Sequence, residues 1–159
     1  MTESKYFIIE AEVDKINIIT WNQEIEQERK SAVFDLLNNG KFKLINKNKT
    51  GPYKVNIKLL EWKLILRVID LFDDSITDLK ISISSVRRII RDYQIVCDNY
   101  VEAIKTAPLK KIEAIDIGRR TIHDEGAGML LEAFKEKVEL DMGTARRLFT
   151  LISIISIKI

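Results

Sequence analysis

The sequence predicts an α+β fold: a small, mostly antiparallel sheet in the N-terminal half, packed by a C-terminal helical bundle. Three observations carry that expectation. Tyr53, Val55, Ile57 and Leu59 alternate with Lys54, Asn56 and Lys58, the period-2 pattern of a half-buried strand. After Ser84 the apolar period becomes helical and is not expected to change back. Strands therefore precede helices, which is the order of α+β rather than of alternating β-α units. At 159 residues the chain is long enough for one ordinary core, so a single domain over residues 1–159 is expected. With 46% apolar and 31% charged residues, 2 Pro and 6 Gly, the composition excludes collagen, disordered tails and low-complexity linkers.

Taken in order, Tyr6 to Val13 reads as the first strand, rich in β-branched and aromatic residues. Ile25, Ala32, Val33, Leu36 and Leu37 recur at helical spacing from about Asn22 to Asn38, and Asn39-Gly40 is expected to stop that helix in a left-handed conformation. Phe42 to Asn46 suggests a strand, followed by a polar loop to Pro52 and the strand at Tyr53. Leu64 to Asp70 and Leu79 to Ile83 complete a meander, joined at Glu61-Trp62 by a turn without the Gly or Asn that a tight primed turn favours. From Val86 to Ile104 an apolar stripe through Ile89, Ile90, Tyr93, Val96, Cys97 and Tyr100 predicts a helix ending before Ala107-Pro108. Pro108 suits the first position of the next helix, which is expected to break near His123, where Asp124 could cap a continuation past Gly126 and Gly128. Asp141 or Thr144 should open the last helix. That helix is apolar at Leu148, Leu151, Ile152 and Ile155 and again at Phe149, Ile154 and Ile157 elsewhere on its circumference. It must then be the central helix or part of a homo-oligomer interface.

Several kinds of chemistry lack their residues. Cys97 is the single cysteine, which points to a reducing compartment and, by its place in the stripe, to a packing role; with one histidine besides, no metal site is expected. Neither G-x-x-x-x-G-K-[ST] nor G-x-G-x-x-G occurs, and there is no G-x-S-x-G elbow, so no cofactor is expected. The apolar runs at both ends are too short to span a bilayer, and the N-terminal one is interrupted by Glu10 and Glu12, so a cytoplasmic protein with no membrane partner is anticipated. A formal net charge of +2 makes nucleic acid an improbable partner. Trp21 and Trp62 read as packing residues.

Arginine is concentrated in the helical half, at Arg87, Arg88, Arg91, Arg119, Arg120, Arg146 and Arg147, whereas lysine is scattered. A chain rich in Lys keeps arginine where a planar fork is needed, as in gripping a carboxylate or phosphate. Asp116, Arg119, Arg120 and His123 share one side of the helix after Pro108, with Glu125 as a second acid that could orient the imidazole. That cluster is either a half-buried ion-pair network or a ligand or catalytic site. Arg87 and Arg88 sit in the first turn of their helix, where cations oppose the macrodipole and call for an anion nearby. Asp73, Asp74 and Asp78 could supply it; otherwise Arg87, Arg88 and Arg91, with Arg146 and Arg147, form candidate anion-binding sites. Arg146 and Arg147 could equally flank an apolar stripe with their stems.

EIEQER at Glu24 to Arg29, FDLL at Phe34 to Leu37, GPY at Gly51 to Tyr53, RRIIRDY at Arg87 to Tyr93, IEAIDIGRRTIHDEG at Ile112 to Gly126 and TARRLFTLI at Thr144 to Ile152 together have a familiar order. Through them the chain resembles the uncharacterised protein family UPF0262, a bacterial family known mainly from alphaproteobacteria. Where the family's H-N-E-G has Asn, this chain has Asp124. The resemblance carries over no catalytic residue. The function expected is a non-enzymatic binding or regulatory module that engages a protein or a small anion through its arginine-bearing helices, with a protein partner or homo-oligomer as the company it keeps. The alternative is an enzyme with His123 as general acid or base and Arg119 or Arg120 facing an anionic substrate.

Overall fold

The computed structural model describes residues 6–13, 23–37, 40–45 and 47–156. The expectations placed on Trp21, Asn22, Asn38, Asn39, Asn46 and Ile157 lie outside these residues. The elements are β1 (Ile8–Val13), α1 (Gln23–Leu36), β2 (Phe42–Leu44), β3 (Tyr53–Leu60), β4 (Lys63–Asp70), β5 (Ile76–Ser82), a 3-10 turn (Ser84–Val86), α2 (Arg87–Thr106), α3 (Leu109–Phe134), β6 (Val138–Leu140) and α4 (Met142–Ile155). The class is α+β.

Four strands form one sheet in the order β1-β3-β4-β5. β1 lies parallel to β3 and the rest is an antiparallel meander, with Ile57 opposite Leu66 and Leu66 opposite Leu79. That register puts Tyr53, Val55, Ile57, Leu59, Leu64, Leu66, Val68 and Ile81 on one buried face, and leaves Lys54, Lys58, Arg67, Asp78 and Lys80 on the other, where Arg67 grips Asp78 at 2.9 Å. A one-residue slip would turn every apolar side chain outward, so the alternation itself holds the pairing. Asp70, at the buried end of β4, accepts from the amides of Gly51 and Phe72 at 3.3 and 2.8 Å, which satisfies its carboxylate without a cation.

α4 is the central helix among the described elements. Leu148, Phe149, Leu151, Ile152, Ile154 and Ile155 are all buried, and the helix packs on α1, α2 and α3 together. Asp141 opens it by accepting from the Thr144 amide at 2.9 Å. Its serines are tolerated in an apolar setting because Ser153 donates to the Phe149 carbonyl at 2.8 Å and Ser156 to the Ser153 carbonyl at 3.2 Å. Gln94 of α2 closes the same network, donating to the Ser153 carbonyl at 2.8 Å and to Ser156 Oγ at 3.1 Å.

Four local expectations are corrected. The strand period does return after Ser84: β6 pairs antiparallel with β2, Phe42 opposite Leu140. α3 does not break near His123 but runs unbroken for 26 residues through Gly126 and Gly128. Its Gly126 serves a close helix crossing, since a Cβ there would stand 2.2 Å from Phe149 Cε2. Pro108 is the N-cap of α3 rather than its first helical residue. Gly40 is no left-handed stop: among the described glycines only Gly51 has positive φ, and Gly40 instead leaves room for Thr144, whose Oγ1 would lie 2.3 Å from an added Cβ.

The β3–β4 turn, whose register the sequence leaves open, is tight although it has neither Gly nor Asn. Glu61 and Trp62 both adopt positive φ, 50° and 63°, as a primed two-residue turn demands. A left-handed non-glycine residue costs about 1–2 kcal/mol. At Trp62 the cost is offset, because the indole is buried and lies under the guanidinium groups of Arg87 and Arg91, 5.4 and 5.6 Å from the ring centroid. Glu61 is exposed and has no such compensation. Glu61→Asn should therefore raise unfolding stability by about 0.5–1 kcal/mol, seen as a higher urea midpoint at unchanged slope; a lower midpoint would contradict the strain assigned to this turn.

Candidate functional site

The residues singled out in α3 come together where α3 leaves the body of the protein. Asp116, Arg119 and His123 follow one another at helical spacing on the side that meets α2 and α4. Arg119 donates to Asp116 Oδ1 through Nε at 3.1 Å and Nη2 at 2.5 Å, while Arg120 reaches Oδ2 at 2.8 Å. The carboxyl of Asp116 is held below its usual range, first by the hydrogen bonds from Arg119 and then by the charges of both arginines. Two cations on one carboxylate leave one positive charge uncompensated, and Arg120 is the more exposed of the pair. Arg119 also lies over the Tyr100 ring, 5.0 Å from its centroid, so its plane is fixed by stacking as well as by the fork.

His123 is set deeper. Its ring is wedged between Tyr93 of α2 and Phe149 of α4, with centroids 5.3 and 5.4 Å away, and those two rings meet each other edge-on at 5.2 Å. Nε2 lies 2.9 Å from Thr150 Oγ1. Because Thr150 gives its one proton to the Arg146 carbonyl at 3.2 Å, its oxygen is left to accept, so Nε2 carries a proton and donates to it. Burial pushes the imidazole pKa below its ordinary value; the nearby Asp124 charge opposes the shift and Arg119 adds to it. Neither Asp116 nor Glu125 orients this ring. Thr150 does, and Glu125 lies exposed about 200° around α3 from His123.

The other arginines are dispersed. Arg146 pairs with Asp124 at 2.8 Å, tying α4 to α3 beside His123. Arg147 is half-buried on α4, and Arg88 is exposed. At the far end of α2, Arg87 and Arg91 face Trp62. Of the acids just upstream, Asp78 goes to Arg67 and Asp73 to Lys49 at 2.8 Å. Tyr93, Tyr100 and Phe149 thus belong to the site although only their places in helical stripes, and not their chemistry, were readable in the sequence, and Thr150 belongs to it with no such signal. Among the described residues no cluster of three or more His, Cys, Asp or Glu is placed to hold a metal ion, and no helix is long and apolar enough to cross a membrane.

The model of the uncharacterised protein family UPF0262 matches residues 5–158. The chain belongs to that family. It is 38% identical over 148 residues to a UPF0262 protein of Brucella canis, covering 93% of this chain and 92% of the relative. A UPF0262 protein of Erythrobacter litoralis is 40% identical over 146 residues, 89% of this chain and 91% of the relative. No solved structure matches the chain significantly.

Two outcomes are expected from this site. Arg119→Ala should lower the melting temperature, removing a stack on Tyr100 worth about 0.5–1 kcal/mol together with the fork on Asp116. Arg119→Lys should lower it less, since the charge stays and the plane is lost; unchanged melting in both would show that the cluster does not support the fold. For His123 the lowered pKa means that the unfolded chain takes up a proton which the folded chain resists. Its stabilising contribution is complete above pH 6.5, the ordinary imidazole value, and is lost as pH falls from there through the lower folded pKa. Urea midpoints measured over that interval should fall with pH in the natural chain, and His123→Gln should flatten the slope.

Proposed function

We propose that the protein is a non-enzymatic binding module whose working surface is the outer part of the α2–α3 hairpin. The observation that carries this reading is a continuation of the core-facing stripes beyond their cover. On α2, Ile90 is buried and Tyr93 packs on Phe149 of α4, and the same side continues into Tyr100, Val101 and Ile104, the last two half-exposed. On α3, Phe134, Leu130 and Ala127 are buried, and their side continues into Arg119, Asp116, Ile112 and the exposed Leu109. Between Gln94 and Glu125 only Ala103 is buried. Large apolar side chains gathered around a Tyr and a fork-held Arg are the usual makings of a protein contact.

The charge left over at Arg119, Arg120 and Asp116 favours a partner that brings a carboxylate to Arg120, whose guanidinium already lies on the rim. A catalytic role for His123 is less well supported by its surroundings, since the ring is packed between two aromatic rings and bonded to Thr150.

Ile104→Asp tests the reading. The side chain is about half exposed, so melting should change by no more than about 0.5 kcal/mol, while a protein co-purifying with the tagged natural chain from its own host should be lost. Retention of that protein, or a large loss of stability, would count against this surface as the contact.

A further inference from the structure

Along the seam of the hairpin, beside Tyr100, α2 and α3 leave an open groove of about 580 Å³. Val96, Ala103, Ile115 and Gly118 line it, with Glu102 on the α2 rim and Lys111 on the α3 rim. We propose that this groove is where two copies of the chain associate, α2 of each lying against α3 of the other to complete a four-helix bundle. The groove adjoins the surface assigned to a partner above but is read through other side chains, Glu102, Lys111 and Gly118 rather than Ile104 and Arg120, so separate substitutions test the two.

Charge selects the second copy as occupant. A two-fold axis along the hairpin sets α2 over α3, so that Glu102 of each copy faces Lys111 of the other. The alternative two-fold, across the hairpin, would set α2 on α2 and bring like charges together. Both rim charges are available for exchange. Lys111 makes no ion pair among the described residues, and Glu102 holds only Lys105, 3.2 Å away on the same helix with both side chains largely exposed.

Packing leads to the same surface. Glycine is unfavourable in a helix interior, and Gly126 is accounted for by the Phe149 ring laid against it. Gly118 has no such reason, since a Cβ there would meet no atom within 4 Å. Gly128 is equally open but does not line the groove. Within the groove, a glycine that the chain's own packing does not use lets another backbone come close.

Sedimentation velocity of the full chain over a concentration series decides the matter. A monomer–dimer equilibrium is expected. Glu102→Lys or Lys111→Glu alone should weaken it about tenfold or more, and the two together in one chain should return it to within about threefold of the natural value. Gly118→Leu, which fills the groove from both sides, should give a monomer whose circular dichroism and cooperative melting are retained; if it fails to fold, the charge exchange still decides. A monomer at every concentration, or a dimer indifferent to the charge reversals, would overturn the proposal. So would a groove whose filling removes a different protein while the chain stays monomeric.

Discussion

The crossing of α4 over α3, where the Phe149 ring lies against the backbone of Gly126, is the contact on which the helical layer depends. A side chain at residue 126 would push α4 away from α3, and with it the buried apolar girdle of α4 that also packs on α1 and α2. The same approach creates the aromatic slot that holds His123, because Phe149 contributes one wall and Thr150, the next residue, supplies the hydrogen-bond partner. Arg146, one turn earlier on α4, then finds Asp124. One glycine thus sets the spacing of three side-chain contacts between the helices.

Much of this was legible in the sequence wherever the deciding interaction was local. The alternation of β3, the stripe of α2, the Asp141 cap of α4 and the spacing from Asp116 to Arg119 and Arg120 all depend on neighbours within a few residues, and each is found in the structure. What escaped was decided at a distance. β6 is only three residues long and exists because β2 lies beside it, with Lys41 and Glu139 joined across 98 residues. The continuity of α3 through two glycines reflects a ring on another helix, and Thr150 reaches His123 across 27 residues. Trp62 accepts a left-handed backbone only because two arginines from the following helix cover it.

The arginines make the same distinction in terms of charge. Arg119 and Arg120 take the acid that stands three and four residues before them on the helix, whereas Arg87 and Arg91, at the start of α2, lie against the π face of Trp62. A cation in the first turn of a helix opposes the dipole, and at Arg87 the aromatic face of Trp62 eases that conflict. Lysine would serve neither place as well, since both use the flatness of the group.

Because α3 is unbroken, it acts mechanically as one stiff beam of roughly 39 Å, by the rise of an α-helix. Gly126 lies about two-thirds of the way along it and is clamped by Phe149, so the beam has a fulcrum. Its long limb carries Arg119 and the hairpin tip, and its short limb ends at Phe134 just before β6. A sideways load at the tip has no hinge in the helix to absorb it. The torque is delivered instead to the short limb, where β6 and β2 meet, and that small sheet becomes the place where a push on the tip is felt.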